Sequence, residues 1–448
     1  MRNETQQDIG IVGFRSSIRP TIVLWLINDK MGDMMTQDYF FKVTTPEQVR
    51  DILNNTTKPL SAEKISISDA LGRVLADDMD SPVDLPGFER GTMDGFAVRA
   101  KDTFGASSGS PAYLNLIGEV KMGENTTIQV SQGEAVGVST GSMMPSGADA
   151  VVMVEYTDFL DDQTIEVIRS VAPGDNIVKK DEDLRIGEKM LNKGHVFRPQ
   201  DIGALAGVGI MSANVVRSPK VAIISSGDEI ITPDQTPHIG QIRDINSFSL
   251  SALAKQAGGL PIIAGIVKDD YDLLKVTMEK ALEDADIALI SGGSSVGARD
   301  VTIDVIRSLK ASEILVHGVS IKPGKPTIIA KVGDKHVFGL PGNPVSVMVT
   351  FELFVGFLIR LLSGTKHPIW EPRYVKAKLN RNVASAPGRE DYVCVRLVES
   401  DNGFLAEPVL GKSATISMMV KADGLVKIPL EYEGLEVGTL VDVYVFSN

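Results

Sequence analysis

The chain has 448 residues, a net charge of −13 and one cysteine, Cys394. This length exceeds a single hydrophobic core, so we expect about two to four domains. The acidic balance argues against a nucleic-acid surface. A lone cysteine excludes an intramolecular disulfide and a cysteine-cluster metal site, which fits a reducing cytoplasm.

The first 35 residues differ in character from the rest of the chain. Their apolar run, at 22–27, is far too short to span a membrane and short even for a signal segment. Met34 or Met35 makes a better start. We therefore expect residues 1–35 to be a disordered extension or a start-site artefact; a cryptic export signal is the alternative.

Two domains are predicted in the next part of the chain. Residues 36–80 and 184–217 are expected to form a small helical linking domain, with Val49, Ile52 and Leu53 on one helix face. The stretch ISISDALGRVLADDM (65–79) predicts a second helix and RPQDIGALAGVGI (198–210) a third. Between them, residues 81–183 carry short alternating runs such as EAVGVSTG and DAVVMVEY, which are typical of a β-rich inserted domain.

Residues 218–366 alternate strand and helix patterns. KVAIISS, LPIIAGIV, DIALIS and EILVHG predict strands, and FSLSALAKQAGG and DLLKVTMEKALEDA predict helices. The fold class is therefore α/β and multidomain, with a doubly wound, mostly parallel sheet that binds ligands at its strand C-termini. A helix at about 345–362 closes this domain. Residues 367–448 predict a C-terminal β-barrel-like or sandwich domain.

The loop SGGSSVG (291–297) comes directly after the strand DIALIS. Its glycines, Gly292, Gly293 and Gly297, allow sharp turns and bring backbone amides close to a ligand, with Ser291 beside them. Asp300 is expected to cap the next helix. A strand, such a loop and a helix N-terminus together indicate a phosphate or oxyanion site. A plain tight connection is the alternative.

Carboxylates stand after the other strands of this domain. The segment SSGDEI holds Ser226, Gly227, Asp228 and Glu229, while Asp244 with Asn246 and Asp269 with Asp270 come later in the chain. Because Mg²⁺ takes oxygen ligands and bridges to phosphate, the set indicates a magnesium site on Asp228, Asp244 and Asp269. Helix capping is the alternative for each acid alone.

Two further loops suit an anion. IKPGKP (321–326) holds Lys322 and Lys325 in a proline-framed turn, although it does not match the Walker pattern. GLPGNPVS (339–346) puts Pro344 in a first helical turn, where free backbone amides point outward. Pro341 and Ser346 belong to the same predicted binding loop.

The motifs PGFERGTMDGFAVRA, STGSMMPSGADAVVMVE, SSGDEI, SGGSSVG, IKPGKP and GLPGNPVSVMVTFE, in this order, resemble the molybdopterin molybdenumtransferase family, which includes the gephyrin E domain. The likeness runs from about residue 36 to 448. It implies a four-part subunit in a homodimer, with an active cleft shared between the sheet domain of one subunit and the β domain of the other.

The resemblance also implies the chemistry. Family members insert molybdenum from molybdate into adenylylated molybdopterin, release AMP and use a divalent metal, usually Mg²⁺. A cytoplasmic location is expected, with molybdopterin adenylyltransferase and downstream cofactor acceptors as partners, and neither nucleic acid nor membrane.

By position in the motifs, the residues fall into three groups. The catalytic group resembles the family's acids and a neighbouring hydroxyl, at Asp94, Thr140, Asp183 and Glu229. Asp244 and Asp269 match acids at the phosphate and metal end. The molybdate pocket resembles a basic and hydroxyl set at Lys322, Lys325, Ser346, Arg389 and Ser417.

The sequence departs from the family at two motifs. Gly91, Thr92 and Phe96 replace the usual Ser, Ala and Tyr around Asp94, and Ala298 and Arg299 displace an acid that Asp300 would then supply.

Two alternatives stay open. An adenylyltransferase shares the doubly wound unit, but the long β-rich flanks argue against it. A dormant gephyrin-like scaffold would not need the retained acids and lysines and would need a long linker.

Overall fold

A computed structural model describes residues 43–292, 296–365, 374–401 and 403–446, without the side chains of 296–300. The expectation for residues 1–35 and the role of Gly293 fall outside these ranges. The described helices are α1 (Pro46–Thr56), α2 (Pro199–Gly207), α3 (Asn246–Gln256), α4 (Tyr271–Asp284), α5 (Val296–Ser308), α6 (Pro344–Thr350), α7 (Gly356–Leu362) and α8 (Ser417–Lys421).

The first half of the chain is mainly strand. Its strands are β1 (Ala62–Ser66), β2 (Val74–Leu75), β3 (Met79–Asp80), β4 (Arg90–Gly91), β5 (Gly95–Val98), β6 (Ala112–Val120), β7 (Glu134–Val138), β8 (Ala150–Met153), β9 (Thr157–Phe159), β10 (Thr164–Val167), β11 (Ile177–Val178), β12 (Lys189–Leu191) and β13 (Ser212–Val216). β8, β5, β7, β6, β10 and β9 form one six-stranded sheet. The predicted strands EAVGVSTG and DAVVMVEY are confirmed as β7 and β8.

Helix α1 is confirmed. Thr45 and Gln48 make a capping box at its start. Val49 and Leu53 are fully buried, and they pack into the core of the sheet unit (residues 218–366) rather than into a core of their own.

The helix predicted over 65–79 is wrong. This stretch forms β1, a 3₁₀ turn at Ile67–Asp69 and β2, and both strands pair antiparallel with β13. Gly72, with φ of 75°, reverses the chain between them, and Leu71 is 60% exposed. The apolar spacing is compatible with a helix. The stretch forms strands instead because β1 and β2 both pair with β13, which follows the β-rich part in the chain.

The strands of the next part are β14 (Lys220–Ser226), β15 (Ile230–Ile231), β16 (Ile242–Arg243), β17 (Leu260–Val267), β18 (Ile287–Gly292), β19 (Ser312–His317), β20 (Ile321–Lys322), β21 (Ile328–Val332) and β22 (Lys335–Leu340). Six of them form a sheet in the order β17-β14-β18-β22-β21-β19. β17, β14, β18 and β22 are parallel, and β21 is antiparallel to both of its neighbours. The mostly parallel α/β sheet is confirmed, although the β21–β22 hairpin had not been predicted.

The helices of this unit lie close to their predicted positions, with one correction. α5 begins at Val296, so Asp300 lies inside the helix and does not cap it. A π-helical turn, Phe351–Val355, joins α6 to α7. Of the described helices, this run (Pro344–Leu362) is the one long and apolar enough to cross a membrane, but 72% of its most apolar window is buried, as in a core helix.

The last part holds β23 (Tyr374–Leu379), β24 (Val383–Ala384), β25 (Glu390–Ser400), β26 (Gly403–Pro408), β27 (Gly424–Ile428), β28 (Gly434–Leu435) and β29 (Leu440–Val445). β25, β26, β23, β29 and β27 close into a five-stranded barrel, because β27 also pairs with β25. β20 also pairs with the start of β25, with Lys322 opposite Asp391. The predicted C-terminal barrel is confirmed, and the sheet unit contributes a strand to it.

Candidate functional site

The C-terminal end of β14 places one acid on each side of the sheet. The Ser225 hydroxyl and the Ser247 backbone N–H donate to Asp244 Oδ1, at 2.9 and 3.0 Å. The hydroxyl of Ser226 donates to Asp269 Oδ1 at 2.5 Å. Since successive strand residues face opposite ways, Asp244 and Asp269 lie on different sides of the strand end.

The C-terminal ends of β14 and β18 approach each other very closely. A Cβ added to Gly292 would lie 1.9 Å from the Ser226 carbonyl oxygen, so only glycine fits there. Ser291 is buried, and its hydroxyl lies 3.4 Å from that of Ser225. A Cβ on Gly227 would lie 2.8 Å from Glu229 Oε2, which puts the Glu229 carboxylate over this glycine. The Ser226 backbone and the Glu229 carboxylate therefore lie close to these glycines at the C-terminal ends of the two strands.

The start of α6 is where the sheet unit meets the barrel unit. Pro344 is its first helical residue, as predicted, and Asn343 precedes it without a side-chain cap. The Val345 N–H donates to the Ser413 carbonyl and the Asn343 amide to the Ser413 hydroxyl, both at 3.1 Å. Ser346 is buried in this turn. The segment that leads to Ser417, the first residue of α8, therefore docks on this helix start.

Two of the three predicted cations converge on one carboxylate. Lys322 Nζ lies 3.6 Å from Asp391 Oδ2, and Arg389 Nε lies 2.8 Å from Asp391 Oδ1. Asp391 is buried, whereas Lys322 and Lys325 are exposed. The charge on Lys322 is thus offset from within the protein. Sequence reasoning had not singled out Asp391, although its place two residues after Arg389 was a usable signal.

Asp94 and Thr140 form a local pair in the β-rich unit. Asp94 Oδ1 accepts the Thr140 backbone N–H at 2.7 Å and the Thr140 hydroxyl at 3.0 Å. These two hydrogen bonds, of which the backbone bond has the larger effect, lower the pKa of Asp94 from its usual value of 3.8. Asp94 is therefore ionised at neutral pH and is a weak proton acceptor.

The other predicted acid of this unit, Asp183, is exposed. Its backbone N–H donates to the Leu85 carbonyl at 3.0 Å, so its loop runs along residues 84–86. Among the described residues, no hydrogen bond or ion pair joins 84–183 to the sheet or barrel units. Within one chain, then, no such bond ties the Asp94–Thr140 pair to Glu229 or to the basic residues.

The predicted magnesium ligands are separate in the structure. Asp228 is exposed, and Asp244 and Asp269 lie on either side of β14. Within the described ranges, no group of three or more His, Cys, Asp or Glu residues could hold a metal. Mg²⁺ commonly takes one or two carboxylates together with substrate phosphates, so a single acid here is compatible with such an ion.

Three family models match the chain. The MoeA N-terminal region (domain I and II) matches residues 44–209, a probable molybdopterin binding domain matches 222–360, and the MoeA C-terminal region (domain IV) matches 376–446.

Named relatives and solved structures agree with these matches. Molybdopterin molybdenumtransferase of Nostoc sp. is 35% identical over 86% of this chain and 91% of its own, and that of Bacillus subtilis is 33% identical over 85% and 89%. The crystal structure of a molybdopterin biosynthesis MoeA protein from Pyrococcus horikoshii superposes with a TM-score of 0.78 at 34% identity, covering 90% of this chain and all of that one.

Proposed function

The chain belongs to the MoeA family of molybdopterin molybdenumtransferases, and we propose that it inserts molybdenum from molybdate into adenylylated molybdopterin with release of AMP. The observation that carries this proposal is the Lys322–Asp391–Arg389 group, which the pairing of β20 with β25 builds between the barrel and the sheet unit whose strand ends hold Asp244 and Asp269. The sheet unit thus carries groups for a phosphate and a group for an oxyanion, as a reaction between a phosphoanhydride and molybdate requires.

Molybdate is proposed to bind at the basic end. Arg389 and Lys322 are held in place by Asp391, while the exposed Lys325 lies in the same turn, within reach of an anion bound there. The outward amides expected at the start of α6 do not add to this pocket, because Pro344 has no N–H and the Val345 N–H donates to the Ser413 carbonyl. A local cationic pocket of this kind gathers an oxyanion despite the net charge of −13.

The phosphate end is proposed to lie at the strand edge. Amides of the loop that follows Gly227 can hold phosphate oxygens, on which negative charge grows as the phosphoanhydride breaks. Mg²⁺, held by Asp228, Asp269 or Asp244, would offset that charge when bound. Since its lowered pKa makes Asp94 a weak base, we assign Asp94 to orient a reacting group, with Glu229 as the candidate general base.

The active unit is proposed to be a homodimer with a shared cleft. Its support is that no hydrogen bond or ion pair of the described residues ties the Asp94 unit to its own sheet unit, while Met93, next to Asp94 in the chain, is 41% exposed. A second copy would bring Asp94 to Glu229. A cytoplasmic location, a supplying adenylyltransferase and cofactor-accepting proteins belong to the same proposal.

The adenylyltransferase alternative is disfavoured, because family matches extend over both β-rich flanks. The decisive assay mixes the protein with adenylylated molybdopterin, molybdate and Mg²⁺ and measures AMP and molybdenum cofactor. Stoichiometric release of both is expected. AMP release without cofactor, or neither product, would contradict the proposed reaction, and omission of Mg²⁺ tests the metal separately.

A further inference from the structure

Asn246, the first residue of α3, carries a buried acceptor that nothing satisfies. The side chain is nine-tenths buried. Its Nδ2 donates to the Gly342 carbonyl at 2.9 Å, which fixes the amide orientation because the flipped form would put two oxygens together. Among the described residues, no donor reaches Asn246 Oδ1. Such an unpaired group is costly and calls for an explanation.

Its surroundings place this atom at the proposed site. Asn246 comes two residues after Asp244, and its amide bridges α3 to the loop that starts α6. Ile245, the residue before α3, gives no side-chain cap, and Asp244 takes that part by accepting the Ser247 N–H at 3.0 Å. Oδ1 therefore lies where the Ser225–Asp244 cluster meets the loop before Pro344.

The chemistry of Oδ1 excludes the anionic parts of the substrates. Ionised phosphate and molybdate present only acceptor oxygens, which would repel an amide oxygen. A divalent cation held by Asp244 would compete for Oδ1, and the Mg²⁺ requirement of the variant tests that alternative. The donor that the substrates themselves can offer is an N–H or O–H of a neutral ligand part.

We propose that Asn246 Oδ1 accepts a hydrogen bond from the N–H edge of the aminopyrimidinone ring of the pterin and so determines specificity for it. This inference rests on the proposed function. The exocyclic amino group of adenine is also an N–H donor. The probes in the test distinguish a hydrogen bond from the pterin from one donated by adenine. A site with a buried hydrogen-bonding group discriminates strongly against an analogue that lacks the matching partner.

The test uses the full chain and two pairs of probes. Pterin carries an amino group at position 2, where lumazine carries a carbonyl. In the same way, AMP carries an amino group on the purine ring where IMP carries a carbonyl. Binding of each is measured by titration to the wild type, to Asn246→Leu, and to Ser249→Ala. Ser249 lies on the same helix, and its hydroxyl donates only to the Ile245 and Asn246 carbonyls. Thermal melting reports folding.

The wild type and Ser249→Ala should prefer pterin to lumazine about tenfold or more, and Asn246→Leu should lose this preference. The KM for adenylylated molybdopterin should rise by a similar factor, with the molybdate dependence unchanged. Loss of the AMP preference instead, a raised Mg²⁺ requirement, or unchanged pterin selectivity would each overturn the assignment. If Asn246→Leu melts too early for titration, Asn246→Ser replaces it.

These outcomes are distinct from failure of the proposed function. A wild-type protein that forms no cofactor refutes the function itself. A wild type that forms cofactor, beside an Asn246→Leu variant of unchanged selectivity, refutes only the role of Asn246.

Discussion

Asp94 is fixed by Thr140 and exposed to solvent, so its carboxylate is positioned for a partner rather than for its own fold. Asp94→Asn should lower the rate of AMP release at least about 100-fold, the order expected when a group that orients a reacting atom is lost, and leave melting unchanged. Asp161→Asn is the matched control, because Asp161 is also exposed and its pKa is also lowered by a backbone N–H. Full turnover by Asp94→Asn would remove Asp94 from the chemistry.

Lys325 lies in the turn beside Lys322 and is exposed. If it contacts molybdate, Lys325→Ala should raise the molybdate requirement at least about tenfold, roughly 1.4 kcal/mol, and excess molybdate should restore the rate. Lys376→Ala, which removes a barrel lysine paired with Asp442, should change nothing. An equal loss of affinity for adenylylated molybdopterin would move Lys325 to the phosphate end.

His336 makes folding pH-dependent. It is buried on β22, and burial, with a smaller contribution from Lys331, lowers its pKa from 6.5 to about 4. Between these values the unfolded chain binds a proton that the folded chain does not, so stability is complete above pH 6.5 and falls as pH drops towards 4. The loss should be on the order of 2–3 kcal/mol.

In His336→Gln, this part of the pH dependence should disappear. Denaturant midpoints at pH 7 and pH 5 check it, and an equal drop in wild type and variant would show that other groups are responsible.

Among the secondary-structure elements, those read correctly from sequence had local signals. Asp270 precedes α4 as its N-cap, its side chain accepting the Leu273 N–H, and β14 and β18 each contain a run of four buried apolar residues, 221–224 and 287–290. The β21–β22 hairpin also had a local signal, its two-residue turn Gly333–Asp334, which was missed because a parallel sheet was expected. Its place in the sheet depends on β18 pairing with β22, a contact that sequence periodicity does not report.

The close approach of the ends of β14 and β18 leads to a prediction for Gly292. Gly292→Ala should strongly destabilise the sheet unit or prevent folding, because its Cβ would overlap the Ser226 carbonyl oxygen. Gly265→Ala is the control: Gly265 lies in neighbouring β17 with φ of 110°, but no atom lies within 4 Å of its added Cβ. That variant should lose only about 1–2 kcal/mol. Similar melting of the two variants would contradict the close approach.

In the molecule as a whole, the motifs named candidate residues, of which Lys322 and Arg389 meet at Asp391, but they did not show what holds those residues. Asp391 reaches Lys322 because β20 leaves the sheet unit to pair with β25 of the barrel, more than 60 residues away in sequence. Likewise, Asn246 meets Gly342 only through the packing of α3 beside α6. Both contacts join residues on different elements. A motif gives the residue types on each element but not the distance between the elements.

The shared cleft is tested by mixing two inactive variants. Asp94→Asn and Glu229→Gln should each be inactive alone. In a dimer of one of each, one cleft combines both altered residues, while the other combines an intact Asp94 with the intact Glu229 of the partner. Random pairing of equal amounts should therefore restore roughly one quarter of wild-type AMP release, half of the dimers having one good site. Each variant mixed with itself is the control. Sedimentation as a monomer, or a mixture that stays inactive after subunit exchange has been demonstrated, would show that the two acids act within one chain or not together.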